Sequence, residues 1–207
     1  MNNLNKNKSA SCFRVTAAVL LVLAMLLPAV FVGVTAFALP PVYDGTFVGE
    51  LGEKYDRLCS IDTPKVVVVG GSSVAFGLES DTEKDELGME VVNFGLYANL
   101  GTKIMMDLSR ANVNEGDIIV LAPEMNAQTL SLYFNNETTM QALDGNFGML
   151  ANIDSENYAA LLGAIWGFSG AKLGYLMSGN RPKTWERIPR TALTSREITS
   201  TSAPITL

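Results

Sequence analysis

The sequence predicts an α/β protein in which a parallel β-sheet is covered by helices. Three short apolar runs have the composition of strands: the four consecutive valines at 66–69, residues 91–94 and residues 118–121. Each run is followed within two residues by glycine or proline, a pattern typical of short strands that are buried on both faces. Helix-like segments separate the runs, and this strand–helix–strand alternation favours parallel pairing.

Two helices are expected between the strands. The first is predicted to have Ser80 as its N-cap, with Glu83 completing a capping box, and to end at Gly88. The second has an apolar face that includes Ile104 and Leu108, at the spacing of a helix packed on a sheet. Three strands are evident, whereas sheets of this kind commonly contain about five, so the sheet is expected to be incomplete.

An uncharged stretch of twenty-five residues, 15–39, is predicted to be a transmembrane helix, because about 20 apolar residues suffice to cross the hydrocarbon core. Basic but no acidic residues precede it, so the positive-inside rule makes residues 1–14 a cytoplasmic tail and places the main domain outside the cytoplasm. A signal peptide is the alternative, since residues 36–38 form an A-x-A cleavage motif. The stretch exceeds the usual signal core of roughly 7–15 residues, which favours an uncleaved single-pass anchor in the cell membrane.

The remaining chain divides by composition. Residues 40–64 are expected to be a linker, with a short polar helix or further linker at 50–58, and residues 65–180 to be the partial α/β domain. Residues 181–207 form a polar tail in which the sign of the charge reverses. We interpret this change, together with the missing strands, as a truncation or frame shift near residue 180; a genuine polar tail on a noncatalytic protein is the alternative.

A single long helix is predicted over residues 155–177. Its glycines have the G-x-x-x-G spacing that also suits packing between membrane helices. Lys172 interrupts the uncharged stretch, however, and the stretch is short for a membrane span. A helix packed on the sheet is therefore the favoured interpretation.

Charge and the rare residue types exclude several classes of protein. Residues 40–179 carry seven Lys and Arg against nineteen Asp and Glu, so no nucleic-acid partner is expected. The chain has no histidine, and its two cysteines, Cys12 and Cys59, lie on opposite sides of the predicted membrane span. A disulfide framework is therefore excluded, Cys59 is expected to be a partly buried lone thiol, and no metal or cofactor is predicted.

Chemistry is expected in the three loops that follow the strands, at 70–77, 93–101 and 122–126, because ligands of open α/β sheets bind beyond the carboxyl ends of the strands. The first loop is glycine-rich, so its backbone can approach a ligand closely. Neither phosphate-binding pattern fits it, since no lysine follows the glycines and G-x-G-x-x-G cannot be aligned. Nucleotide binding is therefore the least favoured interpretation.

The first loop resembles a motif of a known family. Gly71, Ser72 and Ser73, followed by Gly77, are similar to the first block of the SGNH/GDSL hydrolases, G-D-S-x-x-x-G. In this resemblance Ser73 takes the position of the nucleophile, and Ser72 replaces the usual aspartate.

The other loops resemble the later blocks less fully. Residues 93–98 are similar to the second block, with Ala98 where a glycine amide helps to form the oxyanion hole. Residues 122–126 match the third block, G-x-N-D, only loosely: Asn126 would be the side-chain oxyanion donor, and Glu124 is equally placed to face the site. The last block, D-x-x-H, has no counterpart because the chain contains no histidine.

The resemblance covers residues 65 to about 130 and implies a flavodoxin-like, three-layer SGNH fold. It is greatest to membrane-anchored members such as the D-alanyl-lipoteichoic acid biosynthesis proteins and the alginate O-acetyltransferases. They imply a serine esterase or O-acyltransferase that acts on a cell-envelope polymer, either a polysaccharide or a teichoic-acid-like chain. Because a serine hydroxyl needs a base and none is evident, little or no hydrolysis is expected from this chain. The alternative is a noncatalytic anchored domain that binds an envelope polymer or a partner protein through the same cleft.

Overall fold

A long apolar helix precedes the domain in the computed structural model, which describes residues 2–124 and 134–182. This helix, α1 (Asn2–Val32), continues into a π-helical turn at Gly33–Ala38. Within the described residues, Phe13–Ala38 is the one helical segment long and apolar enough to cross a membrane. The side chains of residues 13–30 face outward, and Leu27, for example, is 66% exposed, whereas Thr35 and Ala36 at its end are buried. A membrane anchor and a signal sequence both fit this helix.

Three parallel strands form an open sheet in the order β2-β1-β3. The strands are β1 (Lys65–Gly70), β2 (Glu90–Gly95) and β3 (Ile118–Ala122). The central strand β1 pairs in parallel with both neighbours over most of its length. The α/β class and the parallel pairing predicted from the sequence are therefore confirmed.

Helices connect the strands and flank the sheet. α3 (Ser72–Gly77) and α4 (Ser80–Leu87) lie between β1 and β2, and α5 (Thr102–Ser109) lies between β2 and β3. Because β2 and β3 flank β1 on opposite sides, right-handed crossovers place α3 and α4 on one face and α5 on the other. The main core lies on the α5 face, since α5 buries Ile104 and Leu108 whereas α3 and α4 bury no side chain.

The ends of α4 are only partly as predicted. The N-cap is Glu79, whose backbone is extended, and no side chain caps the helix, so the predicted capping box at Ser80 is wrong. Ser80 has already entered the first turn, where its hydroxyl cannot act as an N-cap. Gly88 ends the helix in the left-handed conformation with φ of 65°, as predicted.

Residues 40–64, predicted to be a linker, contribute to the core. α2 (Glu50–Cys59) is a helix, and it buries Leu51 and Leu58 against the sheet next to α5. Tyr43, which precedes α2, is also buried. Cys59 is exposed rather than partly buried, because it lies at the outer end of α2.

α6 (Asn136–Ala142) follows residues 125–133, which lie outside the described part of the chain. Asn135 is its N-cap and accepts a hydrogen bond from the backbone N–H of Thr138 at 3.0 Å. This bond satisfies one of the free N–H groups at the start of the helix.

The last described element, α7 (Tyr158–Ser178), is preceded by a 3₁₀ turn at Ser155–Asn157. The helix predicted to begin at Ser155 therefore begins as a 3₁₀ turn and becomes α-helical at Tyr158. α7 packs mainly against α6 and the Gly33–Ala38 turn, so the predicted packing on the sheet is wrong. It ends at Gly179, which has φ of 67°.

β3 is exposed on both of its faces. The four apolar side chains at 118–121 are 41–50% exposed. In contrast, Val66 and Val67 of β1, which point to opposite faces and lie in register with Ile118 and Ile119, are buried. In a parallel sheet, side chains that lie in register on neighbouring strands point to the same face. β3 therefore lacks, on both faces, the packed residues that cover β1.

A buried ion pair joins the start of β1 to the start of β3. The side chains of Lys65 and Asp117 are both fully buried, and Lys65 Nζ donates to Asp117 Oδ2 at 2.8 Å. Asp117 Oδ1 accepts a hydrogen bond from the Lys65 backbone N–H at 3.0 Å. Burial alone would raise the pKa of Asp117, but the hydrogen bonds from Lys65 and from the Asn114 amide outweigh it, and the pKa is lowered. The Asp117 carboxylate is therefore ionised at neutral pH.

We expect Asp117→Ala to lower the free energy of unfolding by about 3–5 kcal/mol, because it leaves the Lys65 ammonium buried without a counter-charge. The double variant Lys65→Met/Asp117→Ala should cost less than the two single variants added together. Urea denaturation of the full chain in detergent, followed by tryptophan fluorescence, measures these differences.

The matched control is Lys84→Met, which removes an ion pair with Glu90 in which the Lys84 side chain is 46% exposed. This change should cost at most about 1 kcal/mol, as is usual for surface pairs. Equal costs for Asp117→Ala and Lys84→Met would contradict the structural role assigned to the buried pair.

Candidate functional site

The three strands end side by side. Gly70, the last residue of β1, lies opposite Gly95 of β2 on one side and Ala122 of β3 on the other. The backbone N–H of Leu96 donates to Gly70 O at 2.9 Å, which extends the pairing by one residue. The loops that follow the strands therefore begin at one edge of the sheet, where open α/β folds bind their ligands.

Glycine is required at this edge because the backbones approach closely. A Cβ atom on Gly95 would overlap the backbone of Ala75, and one on Gly70 would lie 2.5 Å from Ala122 O. At Gly71 the nearest atom is instead a side-chain atom, Glu124 Oε1 at 2.5 Å, which could move to make room. None of these glycines has a positive φ, so the requirement is space and not backbone conformation.

The side chain of Asn93 holds the first loop against β2. Its Nδ2 donates to the carbonyls of Val74 and Leu78 at 3.0 Å each and to that of Ala75 at 3.3 Å. Its Oδ1 accepts from the backbone N–H of Gly95 at 3.0 Å. Sequence reasoning missed this role; the signal was a lone amide side chain inside the apolar run 91–94.

Glu124 connects the third loop to the serines of the first. Its Oε1 accepts a hydrogen bond from Ser72 Oγ at 2.7 Å, from the Ser73 backbone N–H at 3.2 Å and from Ser73 Oγ at 3.3 Å. The structure thus brings Gly71, Ser72, Ser73 and Glu124 together at the sheet edge. We call these four residues the serine–glutamate cluster.

The charge of Glu124 is stabilised by its donors. The hydrogen bond from Ser72 is the largest cause that lowers the pKa of Glu124; partial burial opposes it, and the Ser73 amide and hydroxyl lower the pKa further. The carboxylate is therefore ionised at neutral pH. A carboxylate with a lowered pKa is a weak proton acceptor, so this contact orients the Ser73 hydroxyl more than it activates it.

The other predicted site residues are placed as follows. Ala98 lies in a 3₁₀ turn, Ala98–Leu100, three residues beyond the end of β2 and at the same edge of the sheet. Asn126 lies outside the described residues. Where the structure is described, there is no group of three or more His, Cys, Asp or Glu side chains that could hold a metal ion.

Residues that the sequence analysis did not single out also lie at this edge. Phe76 of α3 contacts Phe47, with ring centroids 4.7 Å apart, and Phe47 packs edge-on against Tyr97 in the second loop at 5.8 Å. Lys54 of α2 donates from Nζ to the carbonyl of Gly95. The segment before β1 therefore helps to build the sheet edge, and no local pattern in 40–64 indicated this.

We expect Glu124→Gln to lower the free energy of unfolding at pH 7 by about 1 kcal/mol, since hydrogen bonds to a neutral amide are weaker and the cluster is partly open to water. The folded pKa of Glu124 is lowered from 4.5, so the stabilisation is complete above the unfolded pKa and is lost as the pH falls through the folded pKa. The difference between the two proteins should therefore shrink below pH 4.5.

Urea denaturation of the full chain in detergent, repeated between neutral pH and the acid range, measures this difference. Glu86→Gln on the exposed side of α4 is the control and should change stability by no more than about 0.5 kcal/mol. A Glu124→Gln difference that is constant with pH would contradict the ionised hydrogen-bonded state.

Comparisons of this chain with protein-family models, with curated proteins and with solved structures found no match. The resemblance of the three loops to the SGNH/GDSL blocks therefore stays a prediction from the residues themselves.

Proposed function

We propose that this protein is a membrane-anchored SGNH-like serine esterase or O-acyltransferase that faces outside the cytoplasm and acts on a cell-envelope polymer. Ser73 is the nucleophile in this proposal. The single observation that supports it is the position of the Ser73 hydroxyl at the common edge of three parallel strands, hydrogen-bonded to a carboxylate from the third loop.

In the acyl-transfer step, Ser73 Oγ would form a bond to the carbonyl carbon of an ester, and the hydroxyl proton would leave to a base. The negative charge that develops on the carbonyl oxygen would be held by backbone N–H groups, with Ser73 and Ala98 as the proposed donors. Collapse of the intermediate would break the bond between the carbonyl carbon and the alcohol oxygen, and the base would return its proton to that oxygen. A second alcohol or water would then take the acyl group from Ser73 by the same steps in reverse.

The described contacts also explain why turnover should be slow. The acceptor beside the Ser73 hydroxyl is Glu124, whose lowered pKa makes it a poor base. The Ser73 N–H donates to the same carboxylate, so Glu124 must move before this amide can hold an oxyanion. The chain has no histidine, and without the base of a catalytic unit the remaining acceleration over water is about 10³–10⁴.

The charge of the domain narrows the class of polymer. Residues 40–179 carry twelve more acidic than basic residues, so a strongly anionic chain would be repelled. We therefore propose a substrate recognised through hydroxyl and acyl groups, with a neutral or partly cationic backbone.

A noncatalytic anchored domain is the second candidate. The observation that favours it is the triple hydrogen bonding of Glu124 Oε1 by Ser72 and Ser73. In this alternative the carboxylate fixes the shape of the loop, and the edge of the sheet binds an envelope polymer or a partner protein without reaction.

A fluorophosphonate probe distinguishes the two candidates. We expect slow labelling of the full chain in detergent, to one probe per chain, because the proposed oxyanion donors would assist Ser73 but no strong base does. Ser73→Ala should reduce the labelling at least about tenfold, since it removes the proposed nucleophile.

Ser60→Ala is the matched control: Ser60 is exposed at the end of α2, and its hydroxyl donates only locally, to Arg57 O at 2.8 Å. Labelling of this variant should equal that of the unchanged protein. No labelling at all would favour the binding domain, and labelling that persists in Ser73→Ala would remove Ser73 from the reaction.

A further inference from the structure

The outer face of α7 is apolar and uncovered. The side chains of Leu161, Ile165 and Phe168 point into the core, whereas Leu162 is 63% exposed and Trp166 is 50% exposed on a neighbouring face of the helix. Between Tyr158 and Ala171 the helix contains no charged residue. A helix that is apolar all round is expected in a core or in contact with lipid, and α7 is half outside the core.

This face is continuous with the candidate membrane span. The ring of Trp166 stacks on Phe31, with centroids 6.3 Å apart and an interplanar angle of 17°. Phe31 belongs to the segment Phe13–Ala38, whose 26 residues would extend about 39 Å and so exceed the hydrocarbon core of about 30 Å. Phe31 therefore lies near the outer boundary of the hydrocarbon, the depth at which tryptophan is enriched.

A buried polar junction fixes α7 relative to the end of the span. Lys172 Nζ donates to Ala36 O at 3.2 Å, to Leu39 O at 2.9 Å and to Asp144 Oδ1 at 2.7 Å. The other oxygen of Asp144 accepts from the backbone N–H of Val42 at 2.7 Å. Both charged side chains are almost completely buried, so the helix cannot swing freely about the anchor.

The charged groups next to this face are partly neutralised by pairing. The acidic residues just before α7, Asp154 and Glu156, both pair with Lys103. Since the domain is acidic overall, attraction to anionic headgroups cannot drive the contact, and the apolar surface must do so.

From the exposed apolar face, the Trp166–Phe31 stack and the buried junction, we propose that α7 is a second membrane-contact element. Its face carrying Leu162 and Trp166 lies in the outer boundary of the bilayer beside α1 and holds the domain directly against the lipid. The proposal requires that α1 remain attached as an anchor, and it is independent of the proposed serine chemistry.

Tryptophan quenching in vesicles tests this contact. The chain has two tryptophans, so Trp185→Phe leaves Trp166 as the single fluorophore. The full-length variant is reconstituted into phosphatidylcholine vesicles, and its mass is measured to confirm that α1 has not been cleaved off. Tryptophan emission is then measured with acyl-chain-brominated phosphatidylcholine and, separately, with aqueous acrylamide. We expect blue-shifted emission that brominated lipid largely quenches and acrylamide quenches weakly.

The matched control is Trp166→Phe/Trp185→Phe/Leu87→Trp, which places the single tryptophan on α4 at a position where the native side chain is 54% exposed. This variant should respond in the opposite way, to acrylamide and not to brominated lipid. Acrylamide quenching of Trp166 equal to that of the control would overturn the proposal. Shielding of Trp166 from both quenchers would also overturn the proposal, because it is the result expected if a second copy of the chain covers α7. Loss of the anchor from the reconstituted protein would overturn it as well.

Discussion

The in-register parallel pairing of Gly70 with Gly95 and with Ala122 determines where the candidate functional residues that the structure describes lie. Because the three strands stop in one row, the loops that leave them share one edge, and Glu124 can reach Ser72 and Ser73 across the sheet. The pairing leaves no room for side chains at Gly70 and Gly95. A shift of β3 by one residue would turn Glu124 to the other side of the strand and separate the carboxylate from both serines.

Two buried ion pairs fix the ends of this arrangement. The first pair, Lys65 with Asp117, joins the first residue of β1 to the turn before β3. The second pair, Lys172 with Asp144, joins α7 to the end of the apolar helix and to the segment before α2. Burying a charged pair costs desolvation that the attraction only partly offsets, so such pairs are weak sources of net stability. Their effect here is on geometry, since each charge has partners in only one arrangement of the chain.

The parts of the fold that depend on local sequence were predictable. Four consecutive valines specify the central strand, and Gly88 ends α4 because glycine adopts positive φ at little cost. The parts that depend on contacts between distant residues were not. Nothing local at Tyr43 or Leu51 shows that residues 40–64 complete the core, since helix α2 resembles a solvated polar segment.

The candidate site was also predictable only where it depends on local sequence. Gly71, Ser72 and Ser73 could be selected from the pattern of one loop, and Glu124 from the end of the third strand. The hydrogen bonds between them depend on strand order, which the sequence leaves open. Asn93 was missed because an amide at the end of a strand suggests a ligand contact as readily as the loop anchor that it proves to be.

Within the described residues no strand pairs with the outer flank of β3, and this has a consequence for handling the protein. Natural edge strands usually carry a lysine, a proline or a bulge that prevents pairing with another chain. Residues 118–121 are instead uncharged and have branched side chains, and the first proline after them is at position 123. Free amides and carbonyls on such a flank can template hydrogen bonding with another polypeptide. Concentrated preparations of the purified chain should accordingly tend toward intermolecular sheet formation, and dilute samples are the ones in which its individual properties can be observed.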